Sequence, residues 1–288
     1  MQTAVKNYLP LFKLRICSLI TFSAVVGLIS TASANISITN ILFLIIATML
    51  ASMSASCFNH YFDMDIDAVM QRTKTRPIPS GSIHSSKKIL LIAILLFIAS
   101  ILISFKALNY MVGLHLFLGA LVYAVIYTAW LKRKSWLNII IGGLAGSFAV
   151  LAGGASAAAE LCLLPVLLAI TMFFWTPSHF WSFAIVHREE YAKAGIPMLP
   201  VVIGDSKTAK YILLNTILLV ISSLLPSLFG YLGIIYTITA IGVGVFFIIR
   251  NLQLIKNPAK DIAWKNFKAS MLYLGVLFLA VIIDIAIR

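Results

Sequence analysis

Residues 40–77 read NILFLIIATMLASMSASCF-NHYFDMDIDAVMQRTKTRP, an apolar run over 40–58 followed at once by acids and then by bases. A helix that crosses a bilayer needs about 20 apolar residues, so this run is long enough to do so. Three of the nine acidic residues of the chain, Asp63, Asp65 and Asp67, lie where this helix would leave the membrane. The stretch therefore predicts a membrane protein with a charged site at the end of a span.

The spacing of the acids indicates what this site binds. If the helix runs on past residue 58, Asn59, Asp63 and Asp67 lie four residues apart and share one face, whereas Asp65 points elsewhere. Carboxylates on one face repel each other, so such a pair normally holds a cation or a shared proton. Oxygen ligands favour Mg²⁺, which phosphate oxygens usually complete.

Three bases follow the acids: Arg72, Lys74 and Arg76. Bases suit the phosphate oxygens that a metal leaves uncovered. The pattern thus predicts a site for a diphosphate bridged by a metal, and an ordinary solvated loop of mixed charge is the alternative.

Composition places the rest of the chain in the membrane. Of its 288 residues, 61% are hydrophobic and 11% are charged, and the mean hydropathy is +1.02, which excludes a soluble domain. The prediction is an all-α integral membrane protein with nine transmembrane helices, in a single domain over residues 1–288. The predicted spans cover about 16–34, 40–58, 89–108, 110–131, 137–158, 162–186, 209–229, 231–249 and 268–286.

The net charge of +13 would fit a nucleic-acid partner, but the placement of the charges argues against one. When the loops are assigned alternately to the two sides, 20 of the 22 Lys and Arg residues fall on one side, and only Lys106 and Arg288 fall on the other. An excess of positive residues marks the cytoplasmic side. The N-terminus and residues 59–76 are therefore predicted to be cytoplasmic and the C-terminus to lie outside.

Two further spans carry polar or aromatic residues. In the fourth span His115, Tyr123 and Tyr127 recur at multiples of four residues and form a stripe on one face. The sixth span ends in WTPSHFW (175–181), in which Pro177 interrupts the helix and His179 lies among aromatic side chains. Such a break suggests the lining of a pocket for a large flat or polyunsaturated ligand, and core packing is the alternative.

The remaining acids are sparse. Glu189 and Glu190 follow the sixth span and form the only other acidic pair, a candidate second arm for a metal or phosphate. Asp284, near the end of the ninth span, is predicted to lie at the membrane interface. The three cysteines have no ligand spacing and are predicted to be small core residues.

The first of these motifs, Asn59-x-x-x-Asp63-x-x-x-Asp67 with Arg72-Thr73-x-x-Arg76-Pro77, resembles the first Asp-rich motif of the UbiA-type intramembrane prenyltransferases. Residues 175–181 and 191–202 (YAKAGIPMLPVV) are more specific and resemble the protohaem IX farnesyltransferase (haem O synthase) branch of that family. The similarity covers essentially the whole chain. The sequence departs from the family pattern at Leu14, His60 and Ser178 and in residues 147–150, which concern the acceptor pocket more than the diphosphate site.

The resemblance implies a nine-helix bundle around a central cavity that opens toward the lipid. It also implies Mg²⁺-dependent transfer of farnesyl from farnesyl diphosphate to a vinyl group of haem b, giving haem O. The location would be the inner membrane with the active site opening toward the cytoplasm, and haem A synthase or a terminal oxidase would be partners.

Site residues carry over position by position. The implied catalytic residues are Asp63, Asp67, Arg72, Lys132 and Arg133. The implied metal ligands are Asn59, Asp63, Asp67 and Glu190. Further substrate contacts would come from Lys74, Arg76 and, near the haem, His179. Apart from the resemblance, Tyr123, Tyr127 and Trp175 are expected to shield the farnesyl carbon through their ring faces, and Lys13 and Arg15 are candidate phosphate contacts. For Lys13 and Arg15 the residues alone favour an interfacial anchor.

Two other functions stay open from the sequence. One is the same chemistry on a quinone precursor, against which the His179 segment argues. The other is a cation-coupled transporter, in which Asp63, Asp67 and His115 would form an ion path. A transporter predicts ionisable residues at mid-depth, whereas these acids cluster at one end of the spans.

Overall fold

The fold is a bundle of long helices. In the computed structural model, which describes residues 8–31 and 37–288, nine helices are long and apolar enough to cross a membrane, as the sequence predicted. The helices, numbered as spans 1 to 9, are Leu14–Thr31, Ile38–Phe62, Ser86–Ala107, Tyr110–Arg133, Asn138–Ala157, Leu163–Val186, Asp205–Leu228, Ile234–Lys256 and Lys260–Ile287. Short helices at the ends of spans cover Leu9–Phe12, Met64–Val69, Arg188–Lys193 and Leu199–Ile203.

Several spans extend beyond their predicted bounds. Span 9 begins at Lys260 instead of residue 268, and span 8 continues to Lys256 instead of residue 249. Hydropathy marks the part of a helix in the hydrocarbon, whereas the polar turns continue as helix because one face stays buried, as at Ala263 and Asn266. The predicted end of span 1 at residue 34 lies outside the described residues.

The spans form two groups that pack against each other. Spans 1 to 5 pack as neighbours, with span 1 lying against spans 2 and 5, and spans 6 to 9 form a second ring in which span 9 returns to span 6. Contacts of span 5 with span 6, and of span 1 with span 9, join the groups. Large buried side chains such as Phe247, Tyr236 and Tyr273 fill the core of the second group.

Glycine allows the closest helix contact. A Cβ atom at Gly27 of span 1 would collide with the carbonyl oxygen of Val150, and one at Gly153 of span 5 would collide with the carbonyl oxygen of Ala24. The two backbones therefore touch, as small residues permit in membrane helices. This contact joins span 1 to span 5.

Polar side chains link spans 6 to 9 inside the bundle. The Ser178 and Thr216 hydroxyls lie 2.9 Å apart, and Thr216 donates to Asn251 Oδ1 at 3.0 Å. Asn251 donates to Asn266 at 3.3 Å, and Asn266 donates to Ser182 at 2.9 Å. Hydrogen bonds between helices hold such groups together where water is absent. The network explains how the helix around Pro177 stays packed.

Asp284 is buried within the bundle, and its depth at the membrane interface stays a prediction. It is 2% exposed and accepts hydrogen bonds from the backbone amides of Gly233, at 2.6 Å, and Tyr236, at 3.2 Å. These amides belong to the first turn of span 8, whose own N-cap residue is Gly233 and offers no side chain. Asp284 therefore caps span 8 from span 9, a role that the sequence of either helix alone does not indicate.

Replacing Asp284 with alanine is expected to lower the free energy of unfolding by about 1 kcal/mol or slightly more, as for the loss of an N-cap. Thermal unfolding in detergent measures this. Asp284→Asn should be less destabilised than Asp284→Ala, because its amide oxygen still accepts a hydrogen bond from the first turn of span 8. Asp261→Ala is the matched control, since Asp261 lies on the same helix with its side chain 67% exposed. Equal midpoints for Asp284→Ala and Asp261→Ala would contradict the capping role.

Candidate active site

The acidic stretch lies at the end of span 2, where the helix is interrupted once. Asp63 closes the span with φ −94° and ψ 7°, and the short helix Met64–Val69 follows. The predicted continuous helix is therefore broken, yet the spacing of four residues persists. The amide of Asp63 donates to the carbonyl of Asn59 at 2.9 Å, and the amide of Asp67 donates to the carbonyl of Asp63 at 2.7 Å.

Asp63 is the centre of a buried polar cluster. It is 1% exposed, and its Oδ2 accepts from Asn59 Nδ2 at 2.6 Å and from Lys132 Nζ at 2.5 Å. The other end of the Asn59 amide accepts from Lys13 Nζ at 2.7 Å. Lys13, which directly precedes span 1, thus meets residues of spans 2 and 4 at the Asn59–Asp63 pair, which confirms that Asn59 and Asp63 share a face.

Asp67 forms the second half of the cluster. It is 3% exposed, its Oδ2 pairs with Arg76 Nη1 at 2.6 Å, and its carbonyl accepts from the Thr73 hydroxyl at 3.1 Å. Because the loop folds back through Thr73, a base nine positions later reaches this carboxylate. With Lys13 and Lys132, Arg76 gives three cations against two carboxylates, a formal charge of +1.

Lys13 is held in an unusual conformation. Its φ of 44° and ψ of 48° are left-handed, and it alone among the described non-glycine residues has a positive φ. Such a conformation costs an ordinary residue about 1 kcal/mol or more and tends to occur at functional sites. It lies between the short helix Leu9–Phe12 and span 1 and directs the ammonium to Asn59. The structure therefore places Lys13 in the site, where the residues alone favoured an anchor.

Asp65 and Arg133 pair outside this cluster. Both nitrogens Nη1 and Nη2 of Arg133 contact the Asp65 carboxylate at 2.7 Å, and the Asp65 side chain is 61% exposed. The hydrogen bonds from Arg133 hold the pKa of Asp65 below its usual value. Arg133 also donates to the carbonyl of Phe62, the last residue of span 2. Arg133 thus fastens span 4 to span 2, and its catalytic role stays a prediction.

Arg72 and Glu190 meet at the surface. The backbone amide of Arg72 donates to Glu190 Oε2 at 3.2 Å, and the Arg72 guanidinium lies 5.2 Å from the centre of the Phe183 ring. His187 Nδ1 lies 3.2 Å from Glu190 Oε1. Burial alone would raise the pKa of Glu190, but the Arg72 amide and the His187 ring lower it below its usual value.

The two acidic motifs do not form one cluster. Among the described residues, no three His, Cys, Asp or Glu side chains lie close enough together to hold a metal by themselves. Glu190 instead joins the loop after span 6 to the loop after span 2, and its role as a metal ligand stays a prediction. Arg15 and Lys74 are exposed and form no ion pair within the described chain, so their phosphate contacts also stay predictions.

Span 4 lines the cluster. The rings of Tyr123 and Tyr127 lie 5.6 Å apart, and the hydroxyl of Thr128, which is fully buried, lies 3.5 Å from the Asn59 amide nitrogen. The Tyr127 ring packs on Gly142, where a Cβ atom would lie only 2.9 Å from Cδ2. Sequence reasoning missed Thr128, and the only available signal was its place one turn before Lys132.

His179 lies inside an aromatic stack. It is 8% exposed, its ring lies 4.2 Å from that of Trp175 and 4.4 Å from that of Phe267, and its Nδ1 bonds the Ser270 hydroxyl at 2.7 Å. Trp175 donates from Nε1 to the carbonyl of Ser270 at 2.7 Å. These contacts place both residues between spans 6 and 9, and their role toward a ligand stays a prediction.

One atom of the cluster is left without a partner among the described residues. Asp63 Oδ1 is buried and accepts no hydrogen bond, while Oδ2 of the same carboxylate accepts two. A buried carboxylate oxygen without a partner is costly unless a cation or a proton satisfies it. An oxygen ligand beside a second carboxylate is suited to Mg²⁺, so the residues present fit this metal.

A nine-span bundle with buried acids and partly buried bases at the end of span 2 agrees with the architecture that the resemblance implied, that of an intramembrane prenyltransferase. Comparisons with known proteins support this class. Residues 20–281 match the model of the UbiA prenyltransferase family. The chain therefore belongs to the UbiA prenyltransferase family.

Curated relatives span nearly the whole chain. A protein of Paramagnetospirillum magneticum named protoheme IX farnesyltransferase 1 is 45% identical over 97% of this chain and 98% of its own length. One of Desulforudis audaxviator, named protoheme IX farnesyltransferase, is 38% identical over 100% of this chain and 90% of its own.

Solved structures share the fold. One described as digeranylgeranylglyceryl phosphate synthase superposes with a TM-score of 0.84 at 22% identity, covering 100% of both chains. A UbiA homologue from Archaeoglobus fulgidus, bound to DMAPP and Mg²⁺, has a TM-score of 0.70 at 19% identity and covers 96% of this chain and 99% of its own.

Proposed function

We propose that this protein transfers the farnesyl group of farnesyl diphosphate to a vinyl group of haem b, with addition of water, to give haem O. The observation that carries the proposal is the 45% identity over 97% of the chain to a relative named protoheme IX farnesyltransferase 1. The buried cluster around Asp63 supports it, because a formal charge of +1 beside an unpartnered carboxylate oxygen suits a diphosphate accompanied by a metal.

Mg²⁺ is the proposed cofactor, held by Asp63 and Asp67 with Asn59 as a further oxygen donor. When bound, it supplies positive charge next to the leaving diphosphate. Lys132 and Arg76 would turn from the carboxylates, and Lys13 from the Asn59 amide oxygen, to the phosphate oxygens. They would stabilise the charge that builds up on the diphosphate as the allylic C–O bond breaks.

Two tyrosines of span 4 would keep water away from the reacting farnesyl carbon. As diphosphate leaves, the terminal vinyl carbon of haem b forms a bond to C1 of the farnesyl group, and water adds to the adjacent carbon and releases a proton. Before that step, water must not reach the farnesyl carbon, which requires an apolar surface. The faces of Tyr123 and Tyr127, whose rings lie 5.6 Å apart beside the cluster, would shield that carbon.

The acceptor would lie toward spans 6 and 9. The stacked rings of Trp175, His179 and Phe267 give a flat aromatic surface, and Arg72 lies over Phe183 further along span 6. A macrocycle can stack on such a surface while its propionates reach a cation. The chain is a multi-pass membrane protein, and we place it in the inner membrane with this site toward the cytoplasm, where it would supply haem A synthase or a terminal oxidase.

The acceptor is tested with purified protein in lipid nanodiscs, given farnesyl diphosphate, Mg²⁺ and either haem b or 4-hydroxybenzoate. Mass spectrometry of the products should show a haem that has gained one farnesyl group and one hydroxyl group, and no prenylated hydroxybenzoate. If prenylated hydroxybenzoate is the only product, the acceptor is a quinone precursor and not haem b. Folded protein with neither product would contradict prenyl transfer and favour the transporter.

Lys13→Asn is expected to raise the KM for farnesyl diphosphate about tenfold, because a charge-assisted contact is lost while asparagine still tolerates the left-handed conformation. Lys13→Ala should raise this KM equally and also lower the thermal midpoint, since alanine is strained at φ 44°. Steady-state kinetics and thermal unfolding measure both. An unchanged KM in Lys13→Asn would remove Lys13 from the site.

Gly142→Ala is expected to increase the release of farnesol relative to haem O, because the new methyl group displaces the Tyr127 ring that lies 2.9 Å away. Tyr127→Leu should do the same, since it removes the aromatic face. Chromatography of both products measures the ratio. Gly242→Ala is the control, as a Cβ atom there meets nothing within 4 Å. Unchanged partitioning in the first two variants would exclude the shielding role.

A further inference from the structure

Span 4 changes its helical form at the active site. It is α-helical over Tyr110–Ala120 and π-helical over Leu121–Trp130, and a short 3₁₀ turn, Leu131–Arg133, ends it. At the end of this stretch the amide of Leu131 donates both to the carbonyl of Ile126, five residues earlier, and to that of Tyr127, four residues earlier. Most π-helices are single turns within α-helices and occur at functional sites, so ten successive residues are unusual.

The wide turn changes which residues share a face. In a π-helix, residues five apart lie one above another, as residues four apart do in an α-helix. Tyr123 and Thr128 are five apart, and so are Tyr127 and Lys132. In an α-helix each of these pairs would diverge by about 140°, and Lys132 would lie about 180° from Tyr123.

The observed contacts are those of the π-helical arrangement. Thr128 lies 3.5 Å from the Asn59 amide nitrogen, and Lys132 contacts Asp63 at 2.5 Å. The two tyrosine rings lie together on the same side. Val125 and Trp130, which fall between these positions, are 52% and 54% exposed on the outer face of the bundle.

We propose that the π-helical half of span 4 is a positioning element of the active site. Its wide turn brings the Lys132 ammonium and the Thr128 hydroxyl to the Asn59–Asp63 pair on the face that also carries Tyr123 and Tyr127. An α-helix of the same sequence presents the tyrosines or the lysine to the site, but not both. The inference rests on the proposed farnesyl transfer, in which these groups hold the diphosphate and shield the farnesyl carbon.

A double deletion tests the register. Removing Val125 and Ala129 shortens both pairs from five residues to four, so an α-helix then places all four side chains within about 100° of one another. Both residues lie outside the cluster, with Val125 exposed and Ala129 half-buried. If the proposal is right, what matters is that these four side chains share one face. The double-deletion protein should then be α-helical in this part of span 4 and retain more than about one tenth of the wild-type kcat/KM. A folded protein below that level overturns the proposal.

A lysine relocation decides the question if the deletion protein does not fold. Leu131→Lys/Lys132→Leu moves the ammonium to the position that lies four residues after Tyr127, which an α-helix would direct toward the site. The proposal requires that this variant have a kcat/KM no higher than that of Lys132→Leu alone, since the observed backbone directs residue 132 to Asp63, whereas Leu131 is buried elsewhere, at 8% exposure. Recovery of activity above that of Lys132→Leu overturns it.

Both variants are compared with wild type under the same assay, and thermal unfolding checks that each is folded. If the wild-type protein forms no haem O, the proposed function is rejected. Equal activity of the relocated lysine and wild type, with haem O still formed, would reject only the role of the π-helix.

Discussion

Asp63→Asn is expected to lower haem O formation by about 10³-fold or more, the largest effect of any single substitution in this chain. The carboxylate accepts from Asn59 and Lys132 through Oδ2, and its Oδ1 is the buried oxygen left for a cation. Asparagine keeps the shape of the side chain but replaces one of the two oxygens with an amide donor and removes the charge. Binding of the metal and the diphosphate should therefore fail together.

Asp65→Asn is the matched control for this substitution. Asp65 lies two residues away in the same acidic stretch, but its side chain is 61% exposed and pairs with Arg133. We expect activity within about threefold of wild type, because an exposed ion pair contributes little. Product formation over time at saturating farnesyl diphosphate gives both values. Equal losses in Asp63→Asn and Asp65→Asn would mean that the stretch acts only through its total charge.

Lys132→Leu is expected to lower kcat/KM for farnesyl diphosphate by about 10²-fold, the second largest effect. Its ammonium lies 2.5 Å from Asp63, and the change removes a cation from the position where the diphosphate charge builds up. Lys134→Leu is the control, since Lys134 belongs to the same basic run but is exposed and forms no ion pair within the described chain. Similar losses of kcat/KM in both variants would show that the basic residues 132–134 act through their total charge and not through a specific contact of Lys132.

Stability must be separated from catalysis in these variants. Removing one partner of a buried ion pair leaves the other charge uncompensated, which destabilises the protein. The double variant Asp63→Asn/Lys132→Leu removes both charges, so its thermal midpoint should exceed that of Lys132→Leu while its activity stays at the level of Asp63→Asn. A double variant no more stable than Lys132→Leu would show that the two side chains do not interact.

The sequence predicted the fold and the centre of the site because both depend on local patterns. Long apolar runs define spans, and the spacing of four residues placed Asn59 and Asp63 on one face even though the helix breaks at Asp63. The same spacing set Asp65 apart, and Asp65 is indeed exposed. These features need no knowledge of which spans are neighbours.

Contacts between distant segments could not be predicted in this way. The capping role of Asp284 was not predicted, because hydropathy cannot reveal that the first turn of span 8 needs a cap from span 9. Lys13 looked like an anchor because its left-handed conformation, which directs it to Asn59, has no sequence signal in a lysine. The bond from the Arg72 amide to Glu190 joins residues 118 positions apart. Backbone donors of this kind leave no pattern in the side chains.

The π-helical form of span 4 could not be predicted from the sequence either. Tyr123 and Tyr127 were predicted to share a face from a spacing of four, and their rings do lie 5.6 Å apart. The sequence gives no sign, however, that Leu121–Trp130 is π-helical, because the choice between helical forms depends on packing against spans 2 and 5. Thr128 was therefore not predicted, although its hydroxyl lies 3.5 Å from the Asn59 amide nitrogen.

Mass spectrometry of haem after a single incubation tests the central claim most directly. Purified wild type and Asp63→Asn, both shown to be folded, are incubated in nanodiscs with haem b, farnesyl diphosphate and Mg²⁺. The account predicts that wild type yields a haem heavier by one farnesyl group and one hydroxyl group and that Asp63→Asn leaves haem b unchanged. The same modified haem from both proteins, or none from wild type, would contradict it.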